Sequence, residues 1–205
     1  MTGAKGKQPV HDFRKKRPSE KRPDAGAWAL RSPVFFVGFM GAGKTSVVRR
    51  LARIAGAASV DMDCYIERRC DKKIADIFAE EGEEGFRRIE TEVLRELAAA
   101  PPQFISCGGG VVVRPENREI LKRSGFVVHL KITAHDAARR IRNFERRPLF
   151  GDLDNAELIC RQRSPLYEEV ADHTVETADR STGAVAYELR SVLRRKGVLW
   201  LRKSS

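Results

Sequence analysis

Eight residues, Gly38-Phe39-Met40-Gly41-Ala42-Gly43-Lys44-Thr45, carry the most specific chemistry in this chain, because they fill the pattern GxxxxGK[ST]. Glycines let a backbone wrap closely around phosphate oxygens, with several N–H groups turned inward. A helix beginning at the lysine adds its positive end. In such a loop Gly41, Ala42, Gly43 and Ser46 offer backbone to the phosphates. Lys44 bridges the β- and γ-phosphates and the Thr45 hydroxyl ligates Mg²⁺. The plainer reading, a glycine-rich turn with a chance lysine, is disfavoured by the apolar strand before the pattern and the helical spacing after it. The loop specifies a nucleotide and nothing about what receives the phosphate.

Candidate acceptor groups lie further on. Asp61 and Asp63 follow a short apolar stretch and are two residues apart. On a strand, residues at that spacing share a face, so both carboxylates could reach one pocket. One would order the Mg²⁺ water shell while the other orients, or takes a proton from, an attacking hydroxyl. Alternatively they are turn carboxylates or helix caps. In Phe78–Glu90, Phe86 and Ile89 form an apolar stripe with Val93, leaving Arg87 off it, where its planar fork suits a carboxylate. Gly108-Gly109-Gly110 permits close backbone approach to a ligand, or is simply a tight turn.

The elements that position these groups alternate. Buried-strand runs at Val34–Gly38, Gln103–Cys107, Phe126–Ile132 and His173–Thr177, with a shorter one ending at Val60, are separated by helical spacing. Helices are expected at Thr45–Ala55, Cys64–Arg69, Ile74–Glu81, Glu84–Ala99, Pro115–Ser124, Ala134–Phe144, Asn155–Ala171 and Gly183–Leu193. This pattern predicts an α/β fold: three layers, α/β/α, around a central parallel sheet. Ligands of such sheets bind at the carboxyl ends of the strands.

The 205 residues suffice for one such domain, expected over residues 33–200, with residues 1–32 as a basic disordered arm. The net charge of +11 is uneven. Residues 1–33 hold nine Lys/Arg against three acids, and the last fifteen hold five against none, so residues 34–190 balance to zero. That distribution argues against a nucleic-acid-binding face on the domain. Cys64, Cys70, Cys107 and Cys160 have no zinc-site spacing and read as free thiols. No run is long and apolar enough to span a membrane, and a cytoplasmic, monomeric protein is the expectation.

Together these segments resemble the shikimate kinase family, within the nucleoside-monophosphate-kinase-like enzymes. The resemblance rests on GFMGAGKT at 38–45, DMD at 61–63, FAEEGEEGFRRIE at 78–90, GGG at 108–110, RRPLF at 146–150 and RSPLYEEVAD at 163–172, in the family's order. It implies ATP-dependent phosphorylation of the shikimate 3-hydroxyl. Thr45 would ligate Mg²⁺ and Asp61 hold it through water, with Asp63 on the shikimate hydroxyls as base or orienting carboxylate. Arg87 and Arg163 would grip the shikimate carboxylate, Gly108–Gly110 would line the ring, and Glu90 would orient Arg87. Lys44 and a lid arginine, Arg147, would act on the phosphates, with Arg140 and Arg180 against the adenine. The lid is expected over about residues 143–155.

Three features depart from the family: Val48 where a glycine is common, Phe150 closing the lid motif, and the basic arm. Other readings remain open at this point. A gluconate kinase would keep the loop and metal ligands without needing both Arg87 and Arg163. A regulatory module would bind nucleotide without turnover, yet would be expected to have lost at least one of these residues. A nucleic-acid-associated ATPase is disfavoured by the neutral domain.

Overall fold

The computed structural model describes residues 28–140 and 153–201. The basic segment 1–27 and the central part of the expected lid, including Arg147 and Phe150, lie outside the described residues. Fourteen elements are described: β1 (Trp28–Leu30), β2 (Val34–Val37), α1 (Lys44–Ala55), β3 (Ser59–Asp61), α2 (Met62–Cys70), α3 (Ile74–Ala99), β4 (Phe104–Ser106), α4 (Pro115–Ser124), β5 (Phe126–Lys131), α5 (Ala134–Arg140), α6 (Leu153–Val170), β6 (His173–Glu176), α7 (Thr182–Arg195) and β7 (Leu199–Leu201).

Five strands form one parallel sheet in the order β3-β4-β2-β5-β6. β2 is central, and its sequence VFFV explains why: all four residues are fully buried. From β2 the chain crosses outward to β3, then returns to β4 and passes β2 to β5. Right-handed crossovers in opposite directions place α1 on one face and α3 and α4 on the other. The packing agrees, with α1 against α7, and α3 against both α2 and α4. The expected α/β/α arrangement is therefore the one observed. α1 turns Val47, Val48, Leu51, Ala52 and Ala55 onto the sheet. Val48 is buried in the core and contributes to this packing.

Two strands lie outside the sequence reading: β1 pairs antiparallel with β7, Trp28 opposite Leu201 and Leu30 opposite Leu199. Each partner is three residues long and the pairing joins chain ends, which local periodicity cannot reveal. The two helical stretches expected on either side of Gly82 are both present, and they abut in α3 across a kink at Gly82, whose φ of 70° lies outside the helical region. Finally, α6 starts at Leu153, within the stretch expected to be lid.

Among the described residues no helix is long and apolar enough to cross a membrane. Cys64, Cys70, Cys107 and Cys160 are free thiols.

Candidate active site

The loop after β2 leads straight into α1, whose N-terminal residue is Lys44. Gly43 caps the helix at φ 85° and Gly41 has φ 78°, so both occupy the left-handed region glycine tolerates. Ala42, buried between them, donates its N–H to the Phe39 carbonyl at 3.2 Å and closes the turn. The Lys44 ammonium folds over the loop and donates to the carbonyls of Gly38 (2.8 Å) and Phe39 (3.1 Å). Ser46 is exposed on the first turn of α1. Loop, helix end and lysine together form an anion-binding concavity.

Register brings three oxygens to the next position. Asp61, the last residue of β3, lies opposite Ser106, the last of β4, and Ser106 lies opposite Phe36 of β2. The Thr45 hydroxyl donates to Asp61 Oδ2 at 2.6 Å and lies 3.3 Å from the Ser106 hydroxyl. Oxygen-only ligation beside a phosphate loop suits Mg²⁺, which keeps most of its waters and binds through one or two protein oxygens plus substrate phosphates. Among the described residues no group of three or more His, Cys, Asp or Glu could hold a metal by itself. Thr45 and Asp61 are the residues that fit, with Ser106 beside them. Ser106 was missed in the sequence because a lone serine ending a strand has no motif.

Asp63 is not on a strand. Asp61 caps α2, its Oδ1 accepting from the Cys64 N–H at 3.2 Å, so the helix begins at Met62 and Asp63 sits in its first turn. The first-turn position still aims it at the same cleft. A Cβ placed on Gly108 would lie 2.8 Å from Asp63 Oδ1 and 3.0 Å from Glu90 Oε1. Two carboxylates from different helices thus meet over one glycine of the turn after β4.

Arg87 and Glu90 are buried on α3, at 8 % and 1 % exposure. Arg87 donates to Glu90 at 2.7 Å and to Glu83 at 3.2 Å, and its Cζ lies 5.3 Å from the centre of the Phe86 ring. Burial pushes the Glu90 carboxyl up, and the adjacent Arg87 opposes that shift. The second residue of the turn, Gly109, accepts two donors from α6: the Tyr167 hydroxyl at 2.5 Å and Arg163 at 3.3 Å. Tyr167 also packs on His129 of β5, ring centres 5.2 Å apart. Burial lowers the His129 pKa to about 4, helped by Lys131 and Lys44, so its imidazole is neutral near pH 7. Neither Tyr167 nor His129 was recognised in the sequence. The histidine inside the otherwise apolar FVVHL was the available signal.

Asp63, Arg87, Glu90, Gly108–Gly110 and Arg163 therefore converge on one turn, next to the phosphate loop. Arg140 and Arg180 gather elsewhere, past the end of β6. The Arg140 side chain donates to the Thr177 carbonyl, which also accepts from the Arg180 N–H at 3.3 Å, and the Arg180 side chain is paired with Glu188 at 2.5 Å. Arg147 lies outside the described residues.

A parallel sheet with this strand order, a phosphate loop entering α1 and a second site across the adjacent strand ends defines an α/β P-loop kinase fold. A family model described as shikimate kinase matches residues 40–194. The shikimate kinase of Cupriavidus pinatubonensis is 44% identical over 159 residues, 76% of this chain and 83% of that one. A solved structure of shikimate kinase from Acinetobacter baumannii, in complex with shikimate, superposes with a TM-score of 0.73 at 39% identity, covering 80% of this chain and 94% of the other. This chain belongs to the shikimate kinase family. A gluconokinase from Sinorhizobium meliloti, at 17% identity and TM-score 0.55 (82% of this chain, 94% of the other), shares the fold alone.

Proposed function

We propose that the chain transfers the γ-phosphoryl group of Mg·ATP to the 3-hydroxyl of shikimate, giving shikimate 3-phosphate and ADP, in the cytoplasm. The observation that carries this reading is the convergence of Asp63, the Arg87–Glu90 pair and Arg163 on the Gly108–Gly110 turn beside the phosphate loop. That set suits an acceptor bearing both hydroxyls and a carboxylate.

Phosphoryl transfer demands positioning and charge neutralisation more than covalent chemistry. The loop amides and Lys44 would hold the phosphates, with Lys44 exchanging its loop carbonyls for phosphate oxygens. Thr45 and Asp61 would hold Mg²⁺, which when bound supplies further neutralisation of phosphate charge. Asp63 would orient the attacking hydroxyl and accept its proton. Arg87, held by Glu90, and Arg163 would clamp the acceptor carboxylate. Arg147 would close over the phosphates and exclude water, and Arg140 and Arg180 would flank the base. A gluconate acceptor has its own carboxylate but no rigid ring to span a fixed clamp and Asp63 together.

The test is shikimate-dependent ADP release by the purified chain with Mg·ATP, beside gluconate and no-acceptor controls. Strong release specific to shikimate is expected. Nucleotide binding with no acceptor-dependent release would overturn the catalytic reading in favour of a regulatory module.

A further inference from the structure

Tyr167 is among the largest fully buried side chains, 1 % exposed, yet its polar atom is not idle: the hydroxyl donates to the Gly109 carbonyl. Arg163, one helical turn earlier on α6, donates to the same oxygen. On the other side of the Tyr167 ring lies His129, and His129 in turn abuts the start of the phosphate loop. A Cβ on Gly38 would lie 3.5 Å from the His129 ring. Gly109 itself is close to that loop, since a Cβ there would lie 3.7 Å from the Met40 nitrogen and 3.8 Å from the Gly38 carbonyl oxygen. Phosphate loop, Gly109, Tyr167 and His129 thus pack as one continuous unit.

The shared carbonyl sets up a conflict that Tyr167 resolves. An arginine that reaches toward an acceptor carboxylate must leave its resting partner. If Arg163 were the only donor to Gly109, acceptor binding would strand a carbonyl in a partly buried turn, at a cost comparable to a lost hydrogen bond. A second donor removes that penalty. We propose that Tyr167 is a positioning residue for the acceptor site: it holds the Gly109 carbonyl permanently, which keeps that oxygen satisfied and releases Arg163 to the acceptor. Burial pushes the phenol pKa up, so the hydroxyl keeps its proton and remains a donor. The neutral His129 ring adds packing against the Tyr167 ring.

This inference rests on the acceptor reading of the turn given above. Its test is a double-mutant cycle with shikimate and Mg·ATP. Tyr167→Phe keeps the ring against His129 and removes only the hydroxyl. It is expected to raise the shikimate KM about tenfold, the scale of one hydrogen bond, while the ATP Kd stays within about twofold. In an Arg163→Ala background the same change should move the shikimate KM less than about threefold, because no arginine remains to be released. An unaltered KM in Tyr167→Phe, a matching rise in the ATP Kd, or an equal proportional effect in the Arg163→Ala background would each overturn the role. Absence of wild-type turnover overturns the acceptor reading and this inference with it. Normal wild-type turnover with any of those three results overturns the inference alone.

Discussion

The guanidinium of Arg87 lies directly beneath Gly110: a Cβ at that glycine would come within 2.6 Å of Arg87 Cζ and closer still to its terminal nitrogens. The third glycine of the turn is therefore a packing surface for a buried cation. Gly110→Ala should push Arg87 off its bond to Glu90 and raise the shikimate KM at least about tenfold, with about 1–3 kcal/mol of lost stability from overpacking. Acceptor titration beside a urea melt checks both. A normal KM would mean that Arg87 does not act on the acceptor from this position.

The Arg87–Glu90 pair makes a separate prediction. Both side chains are withdrawn from water, so removing one leaves the other as an uncompensated buried charge. Glu90→Ala should cost about 3 kcal/mol in urea unfolding and weaken acceptor binding together. A loss under about 1 kcal/mol would show that Arg87 finds enough from exposed Glu83.

Asp61 and Asp63, two residues apart, should fail in different ways. Asp61→Asn weakens the group formed with Thr45 and should raise the Mg²⁺ concentration for half-maximal turnover about tenfold. Asp63→Asn should leave nucleotide affinity intact while lowering kcat about a hundredfold, the scale of lost acid–base or orienting help. Identical metal dependence in the two variants would dissolve the distinction.

Buried neutral His129 links stability to pH. Its folded pKa, about 4, lies below the ordinary 6.5. The unfolded chain therefore binds the proton first as pH falls. The stability this histidine contributes is full above about 6.5 and is lost as pH falls toward 4. His129→Phe should flatten that part of the melting profile relative to wild type. Parallel profiles for the two proteins between pH 7 and 4 would rule His129 out as a source.

Much of this was readable in the chain itself. The phosphate loop combines a rigid pattern with local context, and VFFV can hardly be anything but a central strand. The parts that escaped depend on distant chain segments meeting. Ser106 matters because register sets it opposite Asp61. Tyr167 matters because α6 crosses over Gly109, 58 residues away in sequence. Asp63 shows the opposite failure: the cap at Asp61 was a local signal, and the strand alternation was extended two residues past the end of β3. The site survived that error because a first-turn helix residue and a strand-end residue both face the carboxyl edge.

The β1–β7 ribbon makes the described chain nearly a closed ring. Trp28 and Leu201 are direct pairing partners, and β1 leads through Pro33 into the amino end of β2, whereas the phosphate loop leaves its carboxyl end. Residues 28 and 201 therefore meet at one point on the far side of the sheet from the catalytic edge. A short linker between the two ends would permit new termini to be opened elsewhere. The ribbon also gathers the charge of Arg194, Arg195 and Lys196, at the end of α7, beside that junction, where Arg194 lies 4.7 Å from the centre of the Trp28 ring.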